Sequence, residues 1–165
     1  MPVVRACTGK TTGRRCTRRG NALAEFALVF VVFMAIIFAA FDFSYAIFVK
    51  ATLHHAVREG VRFAISGRTL PGMAHDPSIK QVVKDNALAL LNDPALDDKI
   101  KVRYYLADGF GATPNNAAGN IVVVSVEEYQ VIPVGPLLRP ANPLTLNVSA
   151  LDKMEPFPGS APARN

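Results

Sequence analysis

A run of 24 residues, Phe26 to Val49 (FALVFVVFMAIIFAAFDFSYAIFV), carries a single charge, at Asp42. As a helix it would extend roughly 36 Å at 1.5 Å per residue. A hydrocarbon core is about 30 Å thick, so the stretch is long enough to span one with some tilt. A chain of 165 residues rarely encloses a helix that is apolar on every side within a soluble core. The sequence therefore predicts a membrane anchor, with the rest of the fold arranged around it.

The charge distribution predicts the orientation. Residues 1–20 hold six basic groups (Arg5, Lys10, Arg14, Arg15, Arg18 and Arg19) and no carboxylate. The whole chain has 18 Lys+Arg against 13 Asp+Glu. Without the first twenty residues the excess of positive charge disappears, so the basic pI near 9.5 belongs to the leader. It is not the footprint of a nucleic-acid surface, which needs cations gathered on the folded part. Positive charge beside a first span favours the cytoplasmic side. This predicts a cytoplasmic N-terminus and a C-terminal domain outside the inner membrane, periplasmic or extracellular. Cys7 and Cys16 both lie in the leader, so no disulfide framework is expected in the domain.

The apolar stretch is too long for the h-region of an ordinary signal peptide, and small-residue cleavage motifs are badly placed around it. The boundary in front of it reads Arg18-Arg19-Gly20-Asn21-Ala22-Leu23-Ala24-Glu25-Phe26. Two arginines precede a glycine, a carboxylate follows five residues later, and the apolar run begins at once. This resembles the processing site of type IV pilin-like precursors. The resemblance implies cleavage by a prepilin peptidase between Gly20 and Asn21. Glu25 would become the fifth residue of the mature chain and the contact for the new amine of a neighbouring subunit. Read without the resemblance, Glu25 is a carboxylate near a helix N-terminus, favoured by the dipole by about 0.3–1 kcal/mol.

The likeness continues along the helix. Residues 19–29 (RGNALAEFALV), the acidic-aromatic passage Phe41-Asp42-Phe43-Ser44-Tyr45 and the segment Ala56-Val57-Arg58-Glu59-Gly60-Val61-Arg62-Phe63-Ala64 together resemble TadE-like proteins, pseudopilins of the tight-adherence (Flp) pilus system. Arg58, Glu59, Gly60 and Arg62 carry the most distinctive part, with Val61 where the family usually has alanine. Met154-Glu155-Pro156-Phe157 also looks family-like. The resemblance implies a role in assembling or initiating a pilus. The implied partners are a prepilin peptidase, other pilus or pseudopilus subunits, the assembly platform and the membrane. It implies neither a small-molecule substrate nor nucleic acid, and no cofactor. Asp42, deep in the apolar run, reads either as a contact with another subunit or platform helix, or as an interfacial residue reaching the headgroups with Tyr45 in the aromatic belt.

Beyond Lys50 the pattern becomes amphipathic. Leu53, Val57, Val61 and Ile65 recur every four residues, and Ala56, Gly60 and Ala64 form a second stripe of small residues that permits close approach. One helix is expected from about Ala22 to Ser66. A second is expected over about 77–92, capped by Asp76 or Ser78 and ended at Asp93-Pro94. Strands are expected at 101–106, 121–131 and 144–151, with a Gly/Asn/Pro loop over 109–120. The expected fold is α+β: a basic leader (1–20), a transmembrane helix (21–49), its continuation (50–66) and a small domain (67–165) with one helix and about three antiparallel strands.

Catalytic signatures are weak. Thr8-Gly9-Lys10-Thr11 lacks the earlier glycine of a phosphate-binding loop, with Val4 in its place, and Gly109-Phe110-Gly111 lacks the third glycine of a dinucleotide motif. His54 and His55 diverge on a helix, and His55 with Glu59 reads as a solvated pair before it reads as a metal site. Asn147-Val148-Ser149 fits a glycosylation sequon but falls in an expected strand. No enzymatic activity is expected. The alternative to a processed pseudopilin is an uncleaved single-span envelope protein whose outer domain binds an envelope or secretion-system partner.

Overall fold

The computed structural model describes residues 17–109, 111–132, 143–156 and 161–165, with the backbone alone for 17–21. The leader cations up to Arg15, both cysteines, the Thr8–Thr11 passage, Phe110 and Phe157 lie outside the described residues. The fold is α+β. Helix α1 (Thr17–Ile65) is 49 residues long, and α2 (His75–Asp85) is a second, short helix. A 3-10 turn at Pro94–Lys99 leads into strand β1 (Ile100–Tyr105), followed by β2 (Ala112–Thr113), β3 (Ile121–Val131) and β4 (Leu144–Lys153). The strands form one antiparallel sheet in the order β2-β1-β3-β4.

One face of the sheet lies on the upper half of α1. Val49, Leu53, Ala56, Val57, Val61 and Ala64 of the helix share a buried core with Val122, Val124 and Val126 of β3 and Val148 of β4. The four-residue spacing expected from the sequence is the spacing of this buried stripe, with Ile65 half-buried at its end. Ile79, Val83, Ala87 and Leu91 complete the core from α2 and the turns after it. The small-residue stripe on α1 has a specific task at Gly60. A Cβ there would collide with the Cγ2 of Val83, and it would also touch Ile79 and Val124. Glycine at this position lets α2 and the sheet close on α1 together.

Several boundaries differ from the sequence expectation. Helix α1 begins at Thr17 rather than Ala22, so Gly20 and Asn21 lie in its first turns. Helix α2 ends at Asp85 because the chain turns through left-handed backbone at Leu88 (φ 48°) and Ala89 (φ 66°), which stops the helical ladder. Neither Asp76 nor Ser78 is its N-cap. The cap is Ala74, without a side-chain hydrogen bond, and the C-terminal segment does the capping instead. The N–H groups of His75 and Asp76 donate to the carbonyls of Ala163 (2.8 Å) and Arg164 (3.2 Å), satisfying donors that a helix start leaves without partners. Asp93-Pro94 opens a 3-10 turn, with Asp93 accepting from the Ala95 N–H at 2.9 Å. The 109–120 loop contains β2, paired to Tyr104 and Tyr105, so a fourth short strand joins the expected three.

Strand β3 holds a bulge. Val126 pairs with Val148 and Tyr129 with Leu146, so Glu127 and Glu128 together face Asn147. Glu128 is left-handed (φ 55°), and its N–H donates to Asn147 Oδ1 at 2.7 Å. A bulge shifts the two-residue period of a strand by one. Before it Val122, Val124 and Val126 point inward. After it Val131 is buried and Tyr129 half-buried, so both halves of the strand serve the core.

Candidate functional site

The first part of α1 is exposed. Every residue from Ala22 to Phe33 is exposed, including Leu23, Phe26, Leu28 and Phe33. Ala22–Ile65 is long and apolar enough to cross a membrane, and its most apolar window has none of its residues buried inside the fold. That much apolar surface is unfavourable in water by about 25 cal/mol per Å². It calls for lipid or another apolar surface to cover it. Among the small residues along it, Ala27 and Ala40 are exposed and Ala35 and Ala39 half-buried, a surface that admits a close neighbouring helix.

The expected site residues fall into separate places on this rod. Gly20 and Asn21 lie in the first turns of α1, close to a helix end, where opening of the backbone costs least. Glu25 stands on the exposed surface one turn further on. Asp42 is buried, 8% exposed, although Phe41 and Phe43 on either side of it are exposed. Nearby, Ser44 turns its hydroxyl back to the Ala40 carbonyl at 2.8 Å.

The Arg58-Glu59-Gly60-Arg62 motif divides between two faces. Gly60 is buried against α2 and β3. Arg58 and Arg62 are exposed and line an open groove with Lys50, His54, Glu59 and, from β4, Asp152. One half of the motif thus closes the core, while the other presents charge along the edge strand. Among the described residues no group of three or more His, Cys, Asp or Glu side chains gathers as a metal site would require.

A buried polar cluster escaped the sequence reading. Asp76 accepts from the Tyr104 hydroxyl through Oδ1 (2.8 Å) and from Arg164 Nε and Nη2 through Oδ2 (3.0 and 2.8 Å). The Arg164 guanidinium also lies 4.6 Å from the centre of the Tyr104 ring. Burial, then the hydrogen bond to Asp76, pushes the Tyr104 phenol far up, so it serves as a fixed donor. His75 beside them is fully buried. Its Nδ1 lies 3.1 Å from the Arg68 carbonyl, which makes Nδ1 the protonated nitrogen, and burial lowers its pKa. The cluster ties the C-terminal segment to α2 and β1. Its partners are 28 and 88 residues apart in sequence, so no local spacing announces it.

Fold and site together define a small α+β domain carried on one apolar N-terminal helix, the arrangement of a single-pass membrane protein. In comparisons with known proteins, the model of the family described as TadE-like protein matches residues 20–62. Over that segment the resemblance drawn from the Arg19–Val29 and Ala56–Ala64 passages holds, and it begins at Gly20. No curated protein and no solved structure matched the chain.

Proposed function

We propose that this protein is a pseudopilin-like subunit of a tight-adherence (Flp) pilus system, anchored in the inner membrane with its leader in the cytoplasm and its domain outside. The observation that carries the proposal is the TadE-like match over residues 20–62 on a helix whose most apolar window has none of its residues buried inside the fold. A prepilin peptidase would cut between Gly20 and Asn21 and leave the apolar helix in place. The amine created at Asn21 would then face Glu25 of a neighbouring subunit. Assembly would exchange lipid for helix contacts along Ala22–Phe41, with small residues admitting the neighbour. The work is packing and recognition rather than covalent chemistry, and it uses no cofactor.

The test is N-terminal sequencing of the membrane-extracted protein from cells with and without the peptidase. A mature chain beginning at Asn21 only when the peptidase is present supports the proposal. A chain that keeps its leader in cells that build the fibre normally refutes processing and leaves the uncleaved single-span anchor.

A further inference from the structure

Strand β4 is an edge strand. The sheet order β2-β1-β3-β4 leaves its outer side without a partner strand among the described residues. Sheets usually blunt such edges with short strands, prolines or bulges. The opposite edge is blunted in this way, since β2 has two residues. Strand β4 has ten residues and no proline. An open groove runs beside it, with Ala150, Leu151 and Asp152 on one wall and α1 from Ile47 to Ile65 on the other.

A basic row marks the helical wall. Lys50, His54, Arg58 and Arg62 recur every four residues, and all four are exposed. His55 adjoins them, and the acids of the groove are Glu59, half-buried, and Asp152 on β4. Among the described residues the ion pairs join Lys84 to Asp97, Arg103 to Glu127 and Arg164 to Asp76, and none joins a carboxylate to Lys50, Arg58 or Arg62. From Lys50 to Arg62 the helix rises about 18 Å, the length of roughly five strand residues. A strand added beside β4 would continue its ladder through the main chain. Every second side chain of that strand would turn toward α1, where carboxylates would meet the arginines.

A second copy of the chain is a poor occupant. Two copies anchored through α1 in one bilayer hold their grooves at the same height. Facing grooves would then set Lys50, Arg58 and Arg62 against their own counterparts, a like-charge arrangement that association disfavours. This step rests on the anchor reading of α1.

We propose that the free edge of β4 and the basic row of α1 together receive an extended, acidic segment of another protein by strand addition. The edge supplies the hydrogen bonds, and Arg58 and Arg62 select the charge. The exposed half of the Arg58-Glu59-Gly60-Arg62 motif thereby has a task separate from the closing of the core by Gly60.

The test uses the full chain in non-ionic detergent and three short labelled peptides. The first alternates valine and glutamate, the second has lysine in place of glutamate, and the third is the acidic peptide N-methylated at alternate peptide nitrogens. Binding is read by fluorescence anisotropy and by amide exchange along β4. The acidic peptide is expected to bind and to slow exchange at Ala150–Asp152, while the other two do not. Arg58→Gln combined with Arg62→Gln should weaken binding by roughly tenfold with the Tm unchanged, and Arg58→Lys with Arg62→Lys should recover part of it. Equal binding of the N-methylated peptide overturns the proposal, because the groove then takes charge without adding a strand. Equal binding of the basic peptide, or no slowing of exchange at Ala150–Asp152, also overturns it. Slowing that grows with protein concentration in the absence of peptide overturns it too and assigns the edge to a second copy. None of these readings depends on removal of the leader, so failure here leaves the pseudopilin reading to the sequencing test.

Discussion

Arg164 and Asp76, 88 residues apart in sequence, are joined by two hydrogen bonds from one guanidinium to a single carboxylate oxygen. The pair is mostly withdrawn from solvent, with side-chain exposures of 30% and 13%. It fastens the C-terminal residues across the start of α2, where the Ala163 and Arg164 carbonyls also cap the helix. Replacing Arg164 by alanine leaves a buried carboxylate with the Tyr104 hydroxyl alone, at a cost of about 1–3 kcal/mol. Thermal unfolding of the detergent-solubilised chain is expected to show a lower Tm for Arg164→Ala. Arg164→Lys should recover only part of it, because lysine lacks the planar fork.

Gly60 is expected to resist enlargement. Alanine would gain about 1 kcal/mol in helix propensity, but its methyl would meet the Val83 side chain. Valine is stiff at χ1 and does not swing away freely. Overpacking of this kind typically costs about 1–3 kcal/mol, so the collision outweighs the propensity. Gly60→Ala should lower the unfolding midpoint in denaturant, and Gly60→Ala combined with Val83→Ala should recover part of the loss.

His75 sets a direction for pH dependence. Burial favours its neutral form, opposed by the Arg68 carbonyl and Asp76, while Arg164 adds to the lowering. The unfolded chain takes up a proton near the ordinary value of about 6.5, and the folded chain does so only at lower pH. The unfolded state then binds more protons below that value, so stability falls as pH drops. Unfolding measured from about pH 7.5 to about pH 5.5 should show this loss, with a flatter profile for His75→Gln.

The bulge gives a sharper test of backbone strain. A residue other than glycine in left-handed backbone costs about 1–2 kcal/mol, and most when β-branched. Glu128→Val should therefore destabilise the domain, whereas Glu128→Gly should be close to neutral because glycine's extra chain entropy offsets the relief. Asn147→Ala removes the acceptor for the Glu128 N–H at about 1 kcal/mol. Amide exchange at Glu128 should rise in Asn147→Ala, which checks the bond directly.

Helix α1 was legible because its signals are local. The apolar run, the Leu53–Val57–Val61 spacing and the Ala56–Gly60–Ala64 stripe each announce themselves within a few turns, and each lies where expected in the structure. Strand β3 was read to the residue from its valine content. The bulge inside it was not, since two adjacent glutamates look like any solvated pair until Asn147 is brought opposite them. The end of α2 was misplaced for a related reason. Leu88, Leu90 and Leu91 continue a helical pattern in sequence, while the chain turns left-handed at Leu88 and Ala89.

The sequence by itself determined the membrane-length rod, the α+β class and the TadE-like segment, because periodicity, charge and short motifs are properties of neighbouring residues. Only the tertiary structure decided that Gly60 closes the core while Arg58 and Arg62 face outward. It alone decided that the C-terminal residues cap α2 and that Arg164 pairs with Asp76. Each of those depends on groups brought together by packing across tens of residues, and nothing local to either partner encodes the meeting.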